Sequence, residues 1–256
     1  MNHFLTTTVL LVMAGLAVQS QAAVVLEGTR LVHDAGKGRD ATLRSVNTGT
    51  QAALTQAWID EGDSHARPEA IRTPFRLTPT APRLLQPQEG QAWRVTYAPH
   101  PGAEPLPQDR ESLFYFNLLD IPPRPEDAQG SNLLQFAIRT RIKLFHRPAG
   151  LAGSAAQAPG RLRWHAVEGK LHIHNPSAYH VTLATITLAD GTKVDGDMIP
   201  PGGTLDVGLP GGLDVGAALR FTWLDDHGAE RENAATLDVA GAAAAPAAAR
   251  PTALTH

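Results

Sequence analysis

His172 and His174, separated by one residue, are the side chains best spaced here to hold a metal ion, and His165 and His180 lie near them in sequence. Residues i and i+2 of a strand share a face, so the two imidazoles could chelate zinc, copper or nickel. A working centre needs a third ligand and hydrogen-bonded support behind the ligands, so surface histidines and no metal are the expectation. None of the 256 residues is cysteine, which excludes disulfides, thiolate metal sites, iron–sulfur clusters and a cysteine nucleophile. There is no G-x-S-x-G elbow, no H-E-x-x-H and no glycine-rich phosphate loop, and Asp225-Asp226-His227 reads as a turn before Gly228. Neither catalysis nor a cofactor is expected. With 22 Lys plus Arg against 25 Asp plus Glu, a net charge of -3, nothing makes an electrostatic case for binding nucleic acid.

The elements that would carry any site are strands. Hydrophobic residues at 43% and charged ones at 18% are ordinary for a globular protein, and 20 Pro and 23 Gly fall between short apolar runs. Val24–Val32, Ala52–Asp60, Trp93–Tyr97 and Leu113–Leu119 have strand composition, each bounded by Gly, Pro or Asp clusters. Asn132–Phe145 reads as one long strand of period two, with Leu134, Phe136, Ile138, Ile142 and Leu144 on one parity and Arg139, Arg141 and Lys143 on the other. Leu162–Val167, Lys170–His174, His180–Leu188, Thr204–Val207 and Leu219–Leu224 follow at turn-punctuated intervals. The small-residue, proline-bounded stretch 148–160 is a natural linker, which divides an all-β chain into two sandwiches over 23–147 and 161–239. Residues 1–22 hold an uncharged apolar run ending in Ser20 and Ala22 with the spacing a signal peptidase accepts, so a cleaved signal, export and no later membrane insertion are expected. Residues 240–256 are rich in Ala and Pro and read as a disordered tail.

LPQDRESLFYFNLLDIPP (106–123) and LLQFAIRTRIKLFHRP (133–148) closely resemble the signature segments of the periplasmic pilus chaperones of the chaperone–usher pathway. AVVLEGTRLVHDAG (23–36), AWID (57–60), HNPSAYHVT (174–182) and LDDHGA (224–229) resemble family positions in the same order, so the likeness spans most of the chain. The resemblance implies two immunoglobulin-like β-sandwich domains in a boomerang with a cleft between them. It implies a chaperone that lends a β-strand to pilus subunits lacking one and delivers them to an outer-membrane usher, without nucleotide. By resemblance the lender is Leu134, Phe136 and Ile138, and Arg30 and Lys143 bind the subunit's terminal carboxylate; read without the family, those two cations are solvated surface charges. Glu111, Arg147 and Asp226 match an ion network that joins the domains.

Some features are open on the sequence. Ile138 and Lys143 are an odd number of residues apart, so a flat strand points them to opposite faces; a bulge, a bend or an approach over the strand edge must reconcile this, and Arg139 and Arg141 share the parity of Lys143, which leaves open that one of them helps at the anchor. The short link 121–131 resembles the family's short-loop branch, which serves thick, rod-like pili. Thr78-Pro79 lies where the family has a Thr-Pro-Pro turn with a cis bond, although the text here is TPTAP. An unpaired strand would leave self-association of the free chain open. The competing reading is an export or adhesion module of similar fold whose client is not a pilin.

Overall fold

A computed structural model describes residues 24–123, 135–167, 169–209 and 216–238. The expected signal and tail, Leu134 and Glu168 lie outside these residues, as does most of the 121–131 link.

The first sandwich is built from β1 (Val24–Leu26), β2 (Arg30–Asp34), β3 (Asp40–Asn47), β4 (Ala53–Asp60), β5 (Phe75–Thr78), β6 (Arg83–Leu85), β7 (Gly90–Tyr97), β8 (Ser112–Ile121) and β9 (Ile138–Arg147). One sheet runs β1-β3-β7-β5 and the other β2-β9-β8-β4-β6. Alternation decides which side chains go inside. Leu43, Trp93 and Val95 from the first sheet meet Phe116, Leu118, Ile142 and Leu144 from the second in one core, with the Trp93 and Phe116 ring centroids 6.4 Å apart. Trp93 Nε1–H donates to the buried Ser45 hydroxyl at 2.9 Å, so these two polar groups carried inward satisfy each other.

The segment expected as one strand over Val24–Val32 is two strands in opposite sheets. Gly28, at φ 142°, makes the crossing in a backbone conformation that side chains disfavour, and it leaves Arg30 as the first residue of β2. The Thr78–Pro79 peptide is cis.

The second sandwich comprises β10 (Arg163–Val167), β11 (Lys170–His174), β12 (Val181–Thr187), β13 (Lys193–Asp195), β14 (Met198–Ile199), β15 (Thr204–Gly208), β16 (Ala218–Leu224) and β17 (Glu230–Thr236). A β10-β11-β15 sheet packs on a β13-β12-β16-β17 sheet to which β14 adds through β12. Trp164, Leu171, Ile173, Ile186, Phe221 and Trp223 form its core. The Tyr179 hydroxyl donates to the Gly153 carbonyl at 3.0 Å and so ties the connecting segment to this sandwich. The structure is thus all-β with two immunoglobulin-like sandwiches.

Candidate functional site

The ends of β9 behave differently. Its second half, Lys143–Arg147, lies between two neighbours, because β8 pairs with it antiparallel and β2 pairs with it in parallel, from Arg30↔Lys143 to Asp34↔Arg147. Its first half, Ile138–Ile142, pairs with β8 alone, and no described strand occupies the other edge. A row of backbone donors and acceptors is left open there.

The long strand expected from Asn132 starts instead at Ile138. The register explains why. Asp120 pairs with Ile138, so Pro122 and Pro123 would face Phe136 and Gln135, and proline has no N–H to continue a ladder. Gln135 Nε2–H caps the Pro122 carbonyl at 2.6 Å instead. Phe136 is left 66% exposed, which a side chain belonging to its own domain's core would not be.

The β8·β9 ladder runs without a bulge from Ser112↔His146 to Asp120↔Ile138, so strict alternation holds. Ile142 and Leu144 face the core, and Ile138 shares their parity. Lys143, Phe145 and Arg147 face the other way, towards the second sandwich. Phe145 packs on the His180 ring at 5.1 Å. Between Ile138 and Lys143 the ladder holds no bulge, so the two side chains point to opposite faces as a flat strand requires.

Arg30 and Lys143 are register partners on one face, both half-buried. Burial pulls the Lys143 pKa down, and the Arg30 charge adds to this against the pull of Asp197. Burial also lowers the Arg30 pKa, while Asp226, Asp225 and Glu111 hold it up. Arg30 Nη1–H donates to the Leu224 carbonyl at 3.1 Å, and its guanidinium lies 5.8 Å from the Phe145 ring centroid. Its buried Nε finds no partner, and Lys143 makes no hydrogen bond or ion pair among the described residues. Two adjacent, partly desolvated cations with unused donors can seat an anion. A cavity of about 230 Å³ opens beside Arg30, lined also by Phe145, Arg147, His180, Trp223 and Asp226.

Arg147 spans the two sandwiches. It donates from Nε to Glu111 at 2.7 Å and from both terminal nitrogens to Asp226 at 2.8 Å, in a bidentate fork. Burial alone would lower its pKa, but the bonds to Asp226 and the Glu111 charge outweigh this and raise it. Glu111, only 4% exposed, also accepts the His180 backbone N–H at 2.8 Å. Asp225–Gly228 closes against the β1–β2 connection so tightly that a Cβ at Gly228 would land on the Thr29 hydroxyl.

Arg139 and Arg141 are not part of the cation pair. Both are drawn onto Asp60 on the outer face of the sheet. The four histidines take different partners. His180 sits on Glu111, His172 on Asp206 at 2.5 Å, and His174 on the Gly203 carbonyl; His165 pairs across the ladder with His172. No group of three or more metal-ligating side chains converges among the described residues.

Sequence reasoning missed a buried pair that joins the two anchor strands. His33 and His146 are partners in the β2·β9 ladder, with their Nδ1 atoms 3.1 Å apart. His33 Nε2 lies 2.8 Å from the Arg39 carbonyl, which can only accept, so His33 Nδ1 is a lone pair and His146 Nδ1 carries the bridging proton. Burial, and then the neighbouring His33, push the His146 pKa down to about 4. Above pH about 6.5 this residue is neutral both folded and unfolded. As pH falls, the unfolded chain takes up the proton first, so stability is lost between about 6.5 and 4, by about 3 kcal/mol in all. Thermal melts across that range should show this acid limb, and replacing both histidines with phenylalanine should flatten it.

Comparison with known proteins places the chain in a family. A family model described as "Pili and flagellar-assembly chaperone, PapD N-terminal domain" matches residues 23–152, and "Pili assembly chaperone PapD, C-terminal domain" matches residues 157–235. The chaperone protein FimB/FhaD of Bordetella pertussis is 36% identical over 222 residues, covering 84% of this chain and 88% of that protein. The crystal structure of the Pseudomonas aeruginosa CupB2 chaperone superposes with a TM-score of 0.70 at 34% identity, over 83% of this chain and 100% of that one. The SafB chaperone of Salmonella enterica, solved in complex with SafA pilin, gives a TM-score of 0.70 at 26% identity, over 84% of this chain and 96% of that one.

Proposed function

The chain belongs to the pili-assembly chaperone family, and from that premise we propose that it captures fimbrial subunits in the periplasm by lending them the open edge of β9. It then passes them to an outer-membrane usher. The family is one of chaperones rather than enzymes, and the proposed action is binding alone.

One observation carries the reading. The five residues Ile138–Ile142, paired with β8 but open on their other edge, run directly into the seat made by Arg30 and Lys143. An extended segment laid on that edge would be collinear with β2, which pairs in parallel with β9 and begins at Arg30. Only a segment running the same way as β2 brings its last residue to the cations, so the guest strand is parallel to β9 and presents its C-terminal carboxylate. The anchor sets the register, which side-chain pockets alone leave free to slip by two residues. Ile138 and the exposed Phe136 share the parity that would enter the guest's groove; Leu134 is proposed with them from the sequence alone. Each such side chain contributes about 1.5–3 kcal/mol when fully buried, before ordering costs.

Co-expression with a fimbrial subunit in the periplasm tests this. The wild-type chain should purify with the subunit one-to-one. Phe136→Asp and Ile138→Asp should each lose most of the complex, and Phe136→Asp should leave the melting temperature of the free chain within about 2 °C, because that residue supports no core. Recovery of a full complex with both variants would reject the edge as the binding element.

A further inference from the structure

A half-strand with one open edge is expected to fray, yet Ile138–Ile142 is extended and in register. What holds it lies on its outer face. Arg139 and Arg141 project there together, and both reach across β8 to Asp60, the last residue of β4 and 1% exposed. Arg141 binds it through Nε at 3.1 Å and Nη2 at 2.5 Å, and its guanidinium stacks 3.5 Å from the Tyr115 ring centroid. Arg139 lies 3.5 Å from Asp60 and donates twice to the Asn117 amide oxygen, at 2.9 and 2.7 Å, while standing over the Trp58 ring. Asn117 in turn donates to Asp60 at 2.8 Å. The same carboxylate accepts the Gly62 N–H, and Arg139 and Arg141 also bind the Ser64 and Gly62 carbonyls, so the loop after β4 is drawn into the network. Burial would raise the Asp60 pKa, but the Arg141 and Asn117 bonds outweigh it and keep the carboxylate charged.

We propose that Asp60 is a positioning residue for subunit capture: through Arg139 and Arg141 it holds the lending half of β9 straight and in register before any subunit arrives. It acts from the face opposite Ile138 and Ile142 and does not touch the open edge. Order met in the free chain is not charged against binding, so the effect falls on the rate of capture. The proposal rests on the reading of Ile138–Ile142 as the lending edge.

Amide hydrogen exchange on the free chain tests the clamp without any subunit. Asp60→Asn should speed exchange at least tenfold at those Ile138–Ile142 amides that bond to β8, with β3 and β7 amides unchanged. Arg141→Gln, on a more exposed side chain and so gentler to folding, should do the same to a smaller extent. A urea-denatured fimbrial subunit that co-purifies with the wild-type chain, diluted into excess of each variant, should be captured at least fivefold more slowly. Its dissociation should change by less than twofold, since a bound subunit holds the edge from the other side. Unchanged exchange in both variants overturns the clamp, and so does faster exchange with an unchanged capture rate. A wild-type chain that holds no subunit would count against the lending edge itself, a failure the exchange data keep separate.

Discussion

Arg30→Ala and Lys143→Ala should each abolish recovery of a fimbrial subunit with the chain from periplasm, and both variants should still fold. A charge-assisted hydrogen bond in a partly desolvated site is worth about 1.5–3 kcal/mol, so each substitution should weaken binding about ten- to hundredfold and the pair about a thousandfold. The stability readout should move the other way for Lys143. Its folded pKa is lowered, so at neutral pH the folded state carries a cation it disfavours; that disfavour is relieved only as pH rises through the folded value towards the unfolded one. Lys143→Met should therefore leave the melting temperature of the free chain unchanged or slightly raised. Arg30→Lys keeps the charge but loses the fork, and should recover only part of the binding. A subunit complex that survives both alanine variants would dismiss the carboxylate seat while leaving the open edge in place.

Arg147→Ala is expected to have the largest effect on stability. Glu111 is buried, and without Arg147 its carboxylate keeps only the His180 contacts. Removing one partner of a buried ion pair costs about 3–5 kcal/mol, because the other charge is left behind. For a chain of this size that is a fall of about 10 °C in melting temperature. Small-angle scattering should then show a broader distribution of interdomain separations. By contrast, Arg44→Ala removes an exposed pair with Glu27 and should change stability by less than about 1 kcal/mol. An Arg147→Ala variant that melts with the wild type would show that apolar contacts, chiefly Phe145 on His180, set the interdomain arrangement.

Strands with apolar alternation could be read from the sequence to within a few residues: Lys170–His174 is β11, and β4, β7, β8 and β16 differ only at their ends. β3 escaped because its inner face carries Ser45 and Asn47, polar residues whose burial depends on Trp93 Nε1 and the Leu85 carbonyl far along the chain. β17 escaped because an edge strand opening with Glu230, Arg231 and Glu232 has no inward pattern to detect. The start of β9 was misplaced since alternation continues through Phe136, whereas pairing stops where two prolines fall opposite. At the site, residue types named Arg30 and Lys143 only through a family likeness; nothing local says that β2 lies parallel to β9. Asp60 did have a signal. Two arginines at i and i+2 on the face opposite the apolar one call for a counter-charge, and an acid closing the AWID strand could provide it.

The seat at Arg30 and Lys143 stands where β2 closes the open edge, so the edge has an end wall. A passing strand would have to continue through that wall; only a chain that stops there fits. The last residue of a secreted protein is also the last to leave the translocation channel. If the seat takes a terminal carboxylate as proposed, capture should be timed to the completion of export: a subunit still threading its tail through the inner membrane, or one truncated before its final strand, would have nothing to seat.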